Sequence, residues 1–279
     1  IMQTSNLEYE LDAAILHLQQ KAGEKGVPVV GFLSGHDEPN IYSDYPWVRQ
    51  RLEKRFRVRQ VNIEGGKPVP EDIATLVVAS PRKLSERDVY EIDQFIMRGG
   101  RVIFLVNGVQ TPTNSMGFAF KRENPLDKLF KHYGFRVNQD IVLDLNFCPA
   151  ILMQQGAFLI QQKYPLWPII VKSNLDRTCP ISSRINGAVF GWVSSIEVLP
   201  SKQESLKYIP LAKTSDNSVS ETEVFNLDPL RRDYSKIETL KKSSRTVALL
   251  VQGKFKSYFA GKPAPKVENK NKKDKTKKP

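Results

Sequence analysis

The residues best placed to do chemistry are Ser34, Gly35, His36, Asp37 and Glu38, where an imidazole and two carboxylates follow one another directly. Such a set suits acid–base work, because histidine titrates near neutral pH and carboxylates can hold or pass its proton. As a metal site it is poor, since three adjacent side chains rarely converge on one ion, and no metal or cofactor is expected. The other histidines, His17 and His132, fall on charged or amphipathic helical stretches and read as structural or solvated. Cys148 and Cys179 have neither CxxC spacing nor a nearby histidine, so they suit a disulfide or two free thiols equally. The chain contains no G-x-S-x-G elbow, no Walker A loop and no G-x-G-x-x-G. It therefore lacks the phosphate-cradling loop of a nucleotide hydrolase.

The elements that must position the 34–38 segment are legible around it. Val27–Leu33 is a short continuous apolar run, the mark of a strand buried on both faces. Tyr45–Phe56 reads as a helix, Val58–Ile63 as a strand and Leu76–Ala79 as a second buried strand. Ser85–Arg98 is the clearest helix, with Ser85 and Asp88 set as a capping box and Gly99-Gly100 ending it. Arg101–Val106 completes a set of strands alternating with helices, which predicts an α/β fold with a parallel, doubly wound sheet of flavodoxin-like or glutamine-amidotransferase-like type. Segment 34–38 would then sit at the carboxyl edge of the sheet, where open α/β folds bind ligands. Ser80 and Arg82, after the third strand, and Asn107, after the fourth, would end on the same edge. Two readings of the eight residues stay open: a polar crevice for a ligand or a partner's loop, or turns and caps.

An amphipathic helix is expected over Asn6–Gln20. Beyond Val106 the pattern changes. A short helix, Leu126–Tyr133, precedes a strand over Phe135–Leu143. Later apolar runs (Ala157–Ile160, Ile169–Val171, Ala188–Val193, Tyr208–Leu211, Val247–Val251) are brief and interrupted by Pro, Ser and Asn, which predicts a β-rich second half. Residues 216–223 and 228–242 read as loops or a charged helix. The chain thus divides into an α/β domain over 1–145, a β-rich subdomain over 146–260 and a tail over 261–279.

Of the 279 residues, 40% are hydrophobic and 26% charged, as in ordinary globular proteins. The net charge is +12, but Lys262–Pro279 carries eight lysines against Glu268 and Asp274, so half of the excess sits in a tail too polar to form a core. That distribution argues against nucleic acid as a partner and fits a solvated segment, or one near anionic lipid headgroups.

Several strings resemble the ABC-type transport auxiliary family, which includes the gliding-motility protein GldG. They are Asn6-Leu-Glu-Tyr-Glu10, Val29–Glu38, Leu76–Pro81, Leu84–Glu86, Asp93–Gly100, Val102–Val106 and Val247–Phe259. Asp37 stands where that family's G-H-G-E-like motif has its second glycine. The resemblance implies an extracytoplasmic accessory domain, tied to the bacterial inner membrane through flanking helices and associated with ABC permease and ATPase subunits. It names no small-molecule ligand. The first half also resembles class I glutamine amidotransferases. Aligning Gly108-Val109-Gln110 with their G-x-C-x-G-x-Q elbow puts Val106 in the nucleophile's place, which implies a scaffold without its catalytic residues. The alternative is a hydrolase acting on a carbohydrate or amide through the 34–38 loop.

Overall fold

A computed structural model of the chain describes residues 26–111, 117–200, 203–232, 234, 237 and 239–267. The helix expected over Asn6–Gln20, His17 within it, and the tail from 268 onward lie outside these residues. The chain is mixed α/β and divides into two units, Ile1–Val106 with Lys256–Pro279, and Asn107–Phe255.

The first unit holds four parallel strands, β1 (Val29–Ser34), β2 (Arg57–Asn62), β3 (Ile73–Ala79) and β4 (Arg101–Leu105), in the order β2-β1-β3-β4. Helix α1 (Pro46–Glu53) joins β1 to β2, and α2 (Glu86–Met97) joins β3 to β4. The continuous apolar runs become β1 and β3 because both faces of these strands are covered: Leu76 and Val78 are fully buried, and Val77 between them is nearly so. Leu52 of α1 and Phe56 pack against Val30, Phe32, Ile41 and Val77. Helix α2 begins at a complete capping box, in which the Ser85 side chain accepts from the Asp88 N–H and the Asp88 side chain accepts from the Ser85 N–H. It buries Val89, Ile92 and Phe95. Residues 256–267 return to this unit. The fully buried Asp93 accepts from Ser257 Oγ at 2.6 Å and the Tyr258 N–H at 3.1 Å, and the Phe259 ring stands edge-on to Tyr90 at 5.2 Å.

The second unit is built from small antiparallel sheets. The first is three-stranded, with β16 (Phe225–Asn226) and β5 (Val109–Gln110) flanking β6 (Phe118–Lys121). The pairs are β7 (Phe135–Val137) with β13 (Ile196–Val198), β8 (Ile141–Asp144) with β15 (Ser218–Glu221), and β9 (Ala150–Gln155) with β10 (Phe158–Lys163). Two more pairs are β11 (Ile169–Val171) with β12 (Gly187–Val189), and β14 (Leu206–Lys213) with β17 (Thr246–Gly253). A short helix, α3 (Asp127–His132), buries Leu129 and Phe130. Strand β8 serves two cores by alternation: Ile141 and Leu143 join Tyr164, Leu166, Val219 and Phe225, while Val142 joins Ile170, Ala212 and Val247.

Two expectations are corrected. The strand expected over Phe135–Leu143 is two, β7 and β8. Asn138 still meets Ser195 in the β7–β13 register, its N–H donating to Ser195 O at 2.9 Å. Ser195 N and Oγ, however, turn to the Asp140 side chain at 2.8 and 2.6 Å, so the ladder ends there and β8 pairs with β15 instead. Part of 216–223, expected as a loop or charged helix, is β15, whose Ser218 and Val219 are fully buried against β8. Among the described residues no helix is long and apolar enough to cross a membrane.

Candidate functional site

Adjacent parallel strands deliver their following loops to one edge, and β1 and β3 pair directly. The structure accordingly brings 34–38 and 80–83 together. The N–H groups of Arg82 and Lys83 both donate to the His36 carbonyl, at 2.8 and 3.2 Å. Lys83 Nζ lies 2.6 Å from the Asp37 carboxylate, with both side chains largely exposed. The turn after β1 requires Gly35 at φ +103°, where an added Cβ would stand 2.8 Å from Asn62 Nδ2 at the end of β2. Asp37 and Ser80 also have positive φ, 59° and 48°, a conformation that non-glycine residues adopt at some cost. Two loops meeting at a sheet edge, each with one such residue, form a tightly specified surface.

The titratable side chains in this surface point two ways. His36 is buried, with Nε2 3.3 Å from the Asp88 carboxylate at the start of α2 and Nδ1 without a hydrogen-bond partner. Burial pushes the Asp88 carboxyl up, but the bonds from His36 and from Ser85 outweigh it and hold the group below its ordinary value. Glu38 turns back on its own loop, where Oε2 accepts from the His36 N–H at 2.7 Å and Oε1 is buried without a partner. His36 and Glu38 therefore anchor the loop, whereas Asp37, Arg82 and Lys83 form its charged, exposed rim. Sequence reading missed Asp88 as the partner of His36. Its capping role was visible in the spacing, but the contact from another loop was not.

Asn107 belongs to the other unit, where its amide is fully engaged: Nδ2 donates to Trp192 O at 2.8 Å and Oδ1 accepts from the Ser194 N–H at 2.9 Å. It ties the start of that unit to residues 192–194. Cys148 and Cys179 are free thiols. Burial pushes the Cys148 thiol up, which keeps it in its less nucleophilic form at neutral pH.

The model of the family described as ABC-type uncharacterized transport system matches residues 27–279. An uncharacterized protein of Borreliella burgdorferi is 25% identical over 267 residues, covering 93% of this chain. The chain spans about half (51%) of that relative's length. Among solved structures, the mmIFT52 N-terminal domain overlaps 68% of this chain and 74% of its own at 14% identity, with a TM-score of 0.47. The β-galactosidase from Bifidobacterium adolescentis reaches a TM-score of 0.22 at 12% identity, covering 72% of this chain and 92% of its own. Neither overlap is close enough to carry an argument.

Proposed function

This chain belongs to the ABC-type uncharacterized transport system family, and from that premise we propose that it is a non-catalytic accessory domain docking the permease and ATPase subunits of such a system. The observation that carries the reading is the family match from residue 27 onward. In this reading the domain is extracytoplasmic, held at the inner membrane through flanking helices, and of the GldG-like, gliding-associated kind. The first unit is an amidotransferase-like, doubly wound scaffold. Its parallel order β2-β1-β3-β4 supports that scaffold, because flavodoxin-like sheets begin with the same order.

The geometry of the 34–38 loop supports docking over turnover. An acid–base pair must reach its substrate's proton, and here the His36 ring is buried against Asp88 while Glu38 is bonded to its own loop. What the edge offers outward is Asp37, Arg82 and Lys83, a charged surface suited to a charged loop of a partner.

The test is affinity capture of the protein from native membranes in mild detergent, comparing wild type with an Asp37→Lys/Arg82→Glu variant. Permease and ATPase subunits should co-purify with wild type and fall by about tenfold with the variant, the scale expected when complementary charges are reversed. Recovery of no ABC component with wild type would sink the proposal.

A further inference from the structure

The unit formed by Asn107–Phe255 contains a cavity of roughly 470 Å³ within the range of small-molecule sites. Three cations reach it from separate elements: Lys121 at the end of β6, Arg136 in β7 and Arg245 just before β17. Their charges are unequally compensated. Arg136 places Nε and Nη2 on one Glu197 oxygen, at 2.9 and 2.6 Å across the β7–β13 pair. Lys121 and Arg245 have no carboxylate partner among the described residues. Arg245 Nε is buried without a hydrogen-bond partner, and its Nη2 reaches only the Lys241 carbonyl at 3.5 Å. Ser220 Oγ, also in the wall, is buried and unpartnered. Two cations that no carboxylate compensates, in one wall, suit a ligand that is anionic and accepts.

The wall also holds one carboxylate, and this narrows the ligand. Asp140 is 3% exposed and clamped by Ser195 N and Oγ at 2.8 and 2.6 Å. A carboxylate in the wall would repel a bare dianion but can accept from a hydroxyl beside the anionic group. The Thr222 side chain, also in the wall, suits the same kind of ligand. We propose that this cavity binds a phosphate-bearing polyol, with Lys121 and Arg245 taking the phosphate and Asp140 taking a hydroxyl. A phosphoglycerol group has this chemistry, whether free in solution or as a lipid headgroup. The site goes beyond the docking role and involves no other protein, so the two can fail separately.

The experiment is calorimetric titration of the purified chain with glycerol 3-phosphate, glycerol and inorganic phosphate, beside co-sedimentation with phosphatidylglycerol vesicles. The site predicts saturable binding of glycerol 3-phosphate that weakens with added salt, and at least about tenfold weaker binding of glycerol and of inorganic phosphate. Lys121→Gln/Arg245→Gln should lower the affinity about tenfold or more while leaving the unfolding midpoint in place, and the exposed Lys121→Gln alone gives a fold-safe check. Vesicle retention that glycerol 3-phosphate competes away and the double variant loses would assign the lipid source, and its absence alongside soluble binding would assign the free ligand. The proposal is overturned if glycerol 3-phosphate shows no saturation by about 20 mM and vesicles are not retained. Undiminished affinity in the double variant, or equal affinity for inorganic phosphate, overturns it as well.

Discussion

At the scale of single residues, His36 and Asp88 form the contact with the widest consequences. It joins the loop after β1 to the cap of α2, so one imidazole ties two elements at the sheet edge. The Asp88 carboxyl is held below its ordinary value in the folded state, so the unfolded chain binds a proton first as pH falls. Its stabilising contribution is complete above the ordinary carboxylate range and is lost as pH drops through the depressed value. Urea midpoints measured from neutral pH downward should therefore decline on the acid side, and Asp88→Asn should flatten part of that decline. His36→Ala empties a buried site and leaves Asp88 with only its Ser85 bonds, and should cost about 1–3 kcal/mol in urea unfolding at neutral pH. The exposed Asp37–Lys83 pair makes the contrast: Asp37→Asn should change stability by less than about 1 kcal/mol. An Asp37→Asn loss as large as that of His36→Ala would contradict this division between anchor and rim.

Among the elements, those with strong local signals formed close to where their periodicity placed them. Helix α2 is the clearest case, because its capping box and its apolar positions are written within a single stretch. Ser85→Ala should cost about 1 kcal/mol, read as a lower thermal midpoint. The second unit depends instead on close approaches between distant segments. At Gly108 an added Cβ would stand 2.0 Å from the Asn138 carbonyl oxygen, a backbone atom that no rotamer change can move. Gly108→Ala should therefore cost more than about 2 kcal/mol, with the loss confined in hydrogen exchange to the 107–255 unit. Strands β5 and β16, two residues each, were not legible in the sequence, because an alternation of period two has no meaning over two positions. Strand β15 was hidden for another reason. Its Ser218-Val-Ser-Glu221 composition reads as polar, yet Ser218 is fully buried and Ser215 nearby hydrogen-bonds the buried Asp144 carboxylate at 2.8 and 2.7 Å.

For the whole molecule, the division into two units makes the return of residues 256–267 a stability feature of the first one. Ending the chain after Phe255 removes the Ser257 and Tyr258 donors from a fully buried Asp93, together with the Phe259 ring against Tyr90. Loss of the donors alone should cost about 2 kcal/mol or more. Hydrogen exchange should show α2 losing protection while the 107–255 unit keeps its own. Equal protection of α2 in the shortened and full chains would show that the returning segment does not hold that helix.

The sequence by itself determined the parallel strands, the helices between them and the position of the 34–38 loop at a strand end, because each of these is encoded in contiguous residues. It also supplied the family resemblance, carried by strings such as Val29–Glu38 and Val247–Phe259. Only the tertiary structure decided that His36 turns inward to Asp88, that Asn107 is spent on Trp192 and Ser194, and that Lys121, Arg136 and Arg245 share one cavity. The physical reason is the same in each case. These relations are made between side chains remote in sequence, through short antiparallel pairings and loop contacts, and neither local propensity nor hydrophobic period carries information about which distant partner a polar group will meet.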